Sequence, residues 1–175
     1  MPKKVHPMFV RHCAALATLV LLATHAAAAA ETWTRYANQR FGTSAEFPAD
    51  LVSAEPPPAN GSGQSYVSED GLVRISIFGS FLVLVDDFDA YRQDRLNLAE
   101  EGGTKITYSA GGKGWFVYSG LKDGEIVYFK SIPACGGEAA SHVVLTYPQT
   151  RKEIMDPIVR RVAASLQSLQ GSDCP

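Results

Sequence analysis

Few residues in this chain could support catalysis, and they centre on one histidine. The chain has 4 histidines, of which His142 alone lies beyond the N-terminal segment. Nucleophilic catalysis at neutral pH needs a base beside a serine or cysteine. Ser141 is a poor partner for His142, because adjacent residues of a strand point to opposite faces. Cys135 with His142 remains as a candidate thiol hydrolase pair, provided that the cysteine is not in a disulfide.

The patterns that would hold a metal or a phosphate group do not occur. A single His142 cannot supply the several imidazoles of a metal site. Asp86, Asp87 and Asp89 lack the spacing and the glycine of a calcium loop, and capping of a helix explains them better. The segment 111–114, with sequence GGKG, is followed by a strand rather than a helix, so it predicts a hairpin turn. We therefore expect no cofactor and no metal, and the sequence favours a non-enzymatic function.

Two arginines occupy unusual positions on a predicted helix. The helix spans residues 87–101, and Arg92 and Arg95 fall within its apolar side, close to Phe88. One interpretation is that each side chain packs along its stem and places its guanidinium at the rim or against an internal carboxylate. The other is an anion or carboxylate site between this helix and the sheet, which arginine suits through its paired donors.

Aromatic residues mark the later strands on both faces. Trp115 and Val117 alternate with Phe116 and Tyr118, and Ile126, Tyr128 and Ile132 alternate with Val127 and Phe129. Such strands need cover on both sides. Either helices or loops supply it, or an apolar groove is left for a ligand or partner. The candidate contact residues are Arg92, Arg95, Trp115, Tyr118 and Tyr128.

The N-terminus has the pattern of a secretory signal peptide. Lysine and arginine without acidic residues precede an apolar run at 14–23, which is far shorter than a membrane span needs. Small residues follow, and we expect cleavage between Ala30 and Glu31. The prediction is a signal peptide at residues 1–30, no remaining membrane anchor, and a periplasmic or secreted location. The alternative is a retained N-terminal helix in a cytosolic protein.

The mature chain, residues 31–175, has the length of a single domain. It keeps 13 Lys and Arg against 18 Asp and Glu, which gives a net charge of −5. The basic residues are scattered, so no stripe exists for a phosphate backbone or an anionic membrane. Nucleic acid is therefore not an expected partner.

Two cysteines remain after the signal peptide, since Cys13 leaves with it. In an oxidising compartment we expect a disulfide between Cys135 and Cys174. Closing a loop of about 38 residues stabilises a fold by roughly 3 to 4 kcal/mol in the chain-entropy model, and here it would fix the C-terminus. A reactive thiol at Cys135 is the competing interpretation.

Periodicity and turn residues predict ten elements in the mature chain. In order they are two strands within 33–47, strands at 64–68 and 72–79, a helix at 87–101, strands at 105–110, 113–121, 125–132 and 141–147, and a last helix. Gly111-Gly112 is predicted as one of the turns. A capping box at Thr150 and Glu153 precedes the last helix, and Pro157 predicts a kink or a fresh start at Asp156. The fold class is α+β, an antiparallel sheet flanked by helices.

The two ends of the mature chain resemble a known group. The segment 36–48, with a strand at Tyr36, a turn at Gly42 and an exit at Phe47-Pro48, is similar to the opening hairpin of PsbP-like exported proteins. The closing helix around residues 156–166 is similar too. Within that group the chain resembles bacterial periplasmic proteins of uncharacterised function. The resemblance implies an α/β/α sandwich around an antiparallel sheet, brings no catalytic residue, and implies an accessory or interaction module.

The sequence thus predicts a non-catalytic periplasmic module that acts on an envelope protein or a small ligand. The absence of catalytic patterns and the aromatic strands support this prediction. Two alternatives stay open, namely the Cys135–His142 thiol hydrolase and a carrier of a small apolar or anionic molecule.

Overall fold

The computed structural model describes residue 1, residues 32–83, residue 85 and residues 87–169. The predicted signal peptide and its cleavage site lie outside the described residues, apart from Met1. Asp86 and Cys174 lie outside them as well.

The described chain forms short strands interrupted by two helices, as the turn and periodicity patterns predict. The elements are β1 (Trp33–Asn38), β2 (Thr43–Pro48), β3 (Ser53–Ala54), β4 (Gly63–Val67), β5 (Arg74–Phe81), α1 (Phe88–Glu101), β6 (Lys105–Gly112), β7 (Trp115–Lys122), β8 (Glu125–Ala134), β9 (Ala139–Pro148), α2 (Lys152–Ser165) and β10 (Gln167–Ser168). Short 3₁₀ turns at Cys135–Gly137 and Gln149–Arg151 flank β9.

Two antiparallel sheets organise these strands. The larger has seven strands in the order β3-β4-β5-β9-β8-β7-β6, and the smaller has the order β1-β2-β10. Every strand pair is antiparallel. The predicted α+β class with an antiparallel sheet is therefore confirmed.

The larger sheet is covered by different elements on its two faces. On one face α2 and the smaller sheet pack over the strands, and the core there includes Ile75, Leu145 and Val162. On the other face α1 packs over Phe116 and Phe129. Side chains alternate between these faces along each strand. The predicted two-faced alternation is confirmed, since Ile126, Tyr128 and Ile132 lie in the α2-side core whereas Val127 and Phe129 lie in the α1-side core.

Glycine at position 79 lets the two sheets approach closely. Gly79 lies on β5, and a Cβ atom there would overlap the Cβ of buried Phe41, next to the smaller sheet. This contact needs a residue without a side chain, although its backbone conformation is an ordinary one. Sheet packing, rather than a turn, explains this glycine.

Helix α1 has the caps that its sequence predicts. The Asp87 carboxylate accepts a hydrogen bond of 2.8 Å from the Ala90 backbone N–H, which satisfies a donor of the first turn. At the other end Gly102 is the C-cap, and Gly103 has the positive φ of 88° that ends the helix. Capping thus accounts for Asp87, as expected.

The hairpin turn predicted within residues 111–114 is confirmed, and it is formed by Lys113 and Gly114, where Gly114 has a positive φ of 83°. The narrower placement of the turn at Gly111-Gly112 was wrong, since both glycines belong to β6. The predicted fresh start at Asp156 was also wrong, because α2 runs from Lys152 through Pro157, and Arg151 at its N-cap makes no side-chain capping bond. A kink at Pro157 stays a prediction. Proline here removes one N–H from the helix, and burial of the apolar stripe outweighs that loss. The apolar side of α2 lies in the core, with Met155, Ile158, Val159 and Val162 buried and Leu166 buried at the C-cap.

Candidate functional site

Helix α2 leaves the far strands of the larger sheet uncovered. It packs on β2, β9 and β8, whereas Tyr108 on β6 and Trp115 on β7 are 58 % and 39 % exposed. A groove of about 460 Å³ lies between α2 and these strands. We call it the tyrosine groove. Its lining consists of Thr107, Ser119, Gly120, Leu121, Ile126, Tyr128, Tyr147, Gln149, Lys152, Asp156, Val159 and Arg160.

Adjacent strands form an apolar floor in the tyrosine groove. Leu121 on β7 is paired with Ile126 on β8, which is paired with Tyr147 on β9. Two residues away on each strand, Ser119 on β7 is paired with Tyr128 on β8. Because paired residues of antiparallel strands share a face, these side chains point together toward α2. The floor is therefore aliphatic and aromatic, with two phenol groups.

One wall of the tyrosine groove is a charged row on α2. Lys152, Asp156 and Arg160 are spaced four residues apart, so they lie on the same side of the helix. The Lys152 ammonium contacts both carboxylate oxygens of Asp156, at 2.7 and 2.9 Å. Arg160 is exposed and forms no ion pair with any described residue. The row thus has one positive charge that is not neutralised.

The phenols of the groove stay protonated at neutral pH. Burial raises the pKa of Tyr128 to about 12, and the neighbouring Tyr108 and Tyr147 add to this rise. Burial also raises the pKa of Tyr147, with a further contribution from the Asp156 carboxylate. Both hydroxyls can therefore donate hydrogen bonds to a bound molecule. The tyrosine groove can hold an amphipathic molecule through apolar contact, phenol donors and one cation.

The chemically distinctive His142 lies elsewhere, in the core beneath α1. It is fully buried, and its Nε2 is 2.9 Å from the Ser80 hydroxyl and 3.2 Å from the Tyr91 hydroxyl. The rings of Phe78 and Phe129 pack around it. Burial lowers the pKa of the imidazole to about 3, and the Arg95 charge adds to the shift. Such an imidazole is a weak base at neutral pH.

Cys135 and Ser141 were the two nucleophiles considered beside this histidine, and neither is among its described hydrogen-bond partners. Cys135 packs beside Phe41 and Phe81, and it is not among the described hydrogen-bond partners of His142. The Ser141 hydroxyl lies 2.7 Å from the Thr43 hydroxyl, on the opposite face of the sheet from His142. The expectation that these adjacent residues point apart is confirmed.

The predicted disulfide joins one described cysteine, Cys135, to Cys174, which lies outside the described residues. Cys135 does take part in an interaction in the structure. The Cys135–Cys174 bond therefore stays a prediction.

The two arginines of α1 have separate environments. The Arg95 guanidinium contacts the Asp94 carboxylate at 2.7 Å and lies 5.2 Å from the centre of the Tyr91 ring. A cavity of about 140 Å³ opens beside them. The Arg92 guanidinium lies against Gly111, where an added Cβ would be 2.8 Å from its Nη1. These contacts agree with the interpretation that both arginines pack against neighbouring residues. An anion site at either arginine stays a prediction.

The predicted aromatic contacts divide between the two faces. Tyr128 lies in the tyrosine groove, and Trp115, the first residue of β7, lies on the same face of the sheet but outside the groove lining. Tyr118 is buried under α1, stacked on Phe129 with ring centres 5.0 Å apart. Sequence reasoning missed Tyr147 and the charged row of α2. The four-residue spacing of that row is visible in the sequence, but the face of the sheet that it borders is not.

The described residues contain no group of three or more His, Cys, Asp or Glu side chains placed to hold a metal ion. No helix among them has the length and apolar character that crossing a membrane requires.

Comparisons with known proteins identify the fold. No protein-family model and no curated protein matches the chain. The solution structure of cyanobacterial PsbP (CyanoP) from Synechocystis sp. PCC 6803 is similar, with a TM-score of 0.60 at 8 % identity, over 84 % of this chain and 98 % of that one. The chain has a PsbP-like fold. The predicted resemblance is thus confirmed at the level of fold.

A second group of solved structures shares this fold. The crystal structure of the Saccharomyces cerevisiae Ran-binding protein Mog1p has a TM-score of 0.54 at 11 % identity, over 80 % of this chain and 97 % of that one. A point variant of Mog1 has a TM-score of 0.52 at 11 % identity, over 74 % and 92 % of the two chains. Identities this low establish the fold alone.

Proposed function

We propose that this protein is a non-catalytic binding module of the bacterial cell envelope, and that the tyrosine groove is its binding site. The observation that carries the proposal is the partial cover of one sheet face, where α2 borders an open apolar floor with two protonated phenols. The occupant is a small ligand or a side chain presented by an envelope protein.

Catalysis is a weaker explanation of the described residues. The base that the sequence offers, His142, is fully buried and has a lowered pKa. The tyrosine groove contains neither cysteine nor histidine, and its only carboxylate, Asp156, is paired with Lys152. A groove of this composition supports recognition rather than bond cleavage.

Export is the second part of the proposal. The N-terminal pattern supports a cleaved signal peptide at residues 1–30 and a periplasmic location. An oxidising compartment would permit the Cys135–Cys174 disulfide. Mog1p, which has this fold, is a Ran-binding protein, and this supports the idea that a chain of this fold can act by binding a partner.

Tryptophan substitution at two serines, one inside the tyrosine groove and one outside it, tests whether the groove is the binding site. Ser119 lines the groove on β7, whereas Ser109 is exposed on the neighbouring strand and faces the other side. Backbone amide spectra recorded with a mixed-charge fragment collection should show shifts that cluster on groove residues. Ser119→Trp should abolish these shifts because the indole fills the groove, and Ser109→Trp should keep them. Absence of groove shifts in the unmodified protein, or measurable turnover of thioester or ester substrates, would overturn the proposal.

A further inference from the structure

We infer that the ligand of the tyrosine groove is a small amphipathic anion, a carboxylate attached to an aromatic or alkyl body. The inference rests on the proposed function, because it assigns a chemical class to the same site. Three features of the groove support it: its size, the unneutralised charge of its α2 wall, and the phenols beside that wall.

The size of the groove suits one small molecule. Ligand pockets usually enclose about 300 to 1,000 Å³, and the tyrosine groove has about 460 Å³. The apolar part of the lining, formed by Leu121, Ile126 and Val159, matches a hydrocarbon or aromatic body. A bare inorganic anion would leave this surface in contact with water, so it is a poorer match.

The charge of the α2 wall selects an anion. Asp156 is held by Lys152, so a cationic ligand would have to displace that lysine. Arg160, one helical turn further, has a guanidinium with no ion pair among residues 32–83, 85 and 87–169. A guanidinium binds a carboxylate with two parallel hydrogen bonds. Arg160 is therefore the residue that we assign to the ligand's charged end.

The phenols supply further donors for the same group. Tyr128 and Tyr147 line the groove with Arg160, and their raised pKa values keep both hydroxyls protonated. Protonated phenols donate to a carboxylate and avoid the repulsion that a phenolate would exert. The groove thus combines two neutral donors with one cation next to an apolar floor.

The alternative anion site at Arg95 is less suited. The Arg95 guanidinium is already bound by Asp94 through Nε and Nη2. The cavity beside it has about 140 Å³, which is below the size of ordinary ligand pockets. An incoming carboxylate would have to replace Asp94 there, whereas at Arg160 it would replace only water.

Three probes with the same phenylpropyl skeleton test the inference: hydrocinnamate, its neutral amide, and 3-phenylpropylamine. Titration into the mature protein, followed by amide spectra, should rank the anion first, the amide about tenfold weaker, and the amine weakest, since the anion alone can pair its charge with a guanidinium through two parallel hydrogen bonds. Arg160→Gln should reduce hydrocinnamate affinity to that of the amide and leave amide binding unchanged.

Arg161→Gln is the matched control, because Arg161 is the next residue on α2 but contacts Glu46 and Trp33 instead of the groove. It should keep the anion preference. Equal binding of the three probes, or an anion preference that survives Arg160→Gln, would overturn the inference and leave the groove as a binding site. Absence of groove shifts with all three probes at millimolar concentration would overturn the inference alone, because the proposed function is tested separately with the fragment collection.

Discussion

Ser131 and His142 lie opposite each other on β8 and β9, and each keeps one buried polar atom without a hydrogen-bond partner among the described residues. The atoms are Ser131 Oγ and His142 Nδ1. Both residues are fully buried. Buried polar groups without partners lower the stability of a fold, so this pair is a weak point in the α1-side core.

We expect Ser131→Ala to leave the free energy of unfolding unchanged or to raise it by up to about 1 kcal/mol, because the hydroxyl that is removed has no described partner. Ser141→Ala is the matched comparison. That serine is equally buried but lies 2.7 Å from the Thr43 hydroxyl, and its loss should cost about 1 kcal/mol. Urea unfolding of the two variants measures the difference. Equal destabilisation would mean that Ser131 has a partner that the described residues do not provide.

His142 should make the protein less stable as the pH falls. Its pKa is lowered from 6.5 to about 3 in the folded protein, so between these values the unfolded chain binds a proton that the folded chain does not. Stability should therefore decrease through this window by about 1.4 kcal/mol per pH unit from this residue alone. Above pH 6.5 the imidazole is neutral in both states and contributes no slope.

Comparison with His142→Phe isolates this effect from that of the carboxylates. The variant should show a shallower decline in the free energy of unfolding between pH 6 and pH 4, whatever its absolute stability. In the mature protein without a histidine tag, His142 is the sole histidine, so its ring protons can be followed by NMR directly. A titration midpoint near pH 6.5 would contradict the described burial.

Gly79→Ala should destabilise the fold by about 1 to 3 kcal/mol, because the new methyl group overlaps Phe41 where the two sheets meet. Gly111→Ala provides the comparison. The atoms nearest to its Cβ belong to the Arg92 guanidinium, which can move aside, so the loss of stability should be smaller. Thermal unfolding of both variants tests this order, and the reverse order would contradict the described sheet packing.

Asp156→Asn should strengthen binding of hydrocinnamate in the tyrosine groove. It removes the one negative charge of the α2 row and frees Lys152, so affinity should rise about two- to fivefold, the size expected for an exposed charge interaction. Asp94→Asn alters an acidic residue that contacts Arg95 on α1, and it should leave this affinity unchanged. Isothermal titration of hydrocinnamate into each variant measures the two affinities. Weaker binding to the Asp156 variant would contradict the assignment of an anionic ligand to this charged row.

Local chemistry allowed much of the fold to be predicted. Alternation along β7 and β8 indicates which side chains share a face, because a strand has a period of two. The caps of α1 at Asp87 and Gly103 follow from side-chain and backbone preferences that act within a few residues. These features depend on neighbours in sequence, and the structure agrees with them.

Features that depend on distant residues were missed. Strand β10 pairs with β2, more than a hundred residues earlier, and its two residues have no strand pattern of their own. Gly111 was assigned to a turn because glycine is common there, whereas the structure uses it to make room for Arg92. A single sequence does not distinguish these two uses of glycine.

The candidate site was predicted only in part for the same reason. Tyr128 was identified from the aromatic pattern of its strand, but the groove exists because α2 lies over β8 and β9 and not over β6 and β7. The lateral position of a helix on a sheet depends on how the whole core packs. Arg160 therefore appears in sequence as an ordinary exposed helix residue, and only the fold places it in the lining of the same groove as Tyr128.

The central claim is that this protein binds an amphipathic carboxylate between α2 and the uncovered strands. Mapping of hydrocinnamate by backbone amide shifts in the mature protein tests it most directly. We predict shifts on both sides of the tyrosine groove, at residues 119–121 and 126–128 of the sheet and at 156–160 of α2, all saturating with one affinity. Shifts confined to the surroundings of Ser80, Tyr91 and Arg95, or no saturable shifts at all, would contradict the claim.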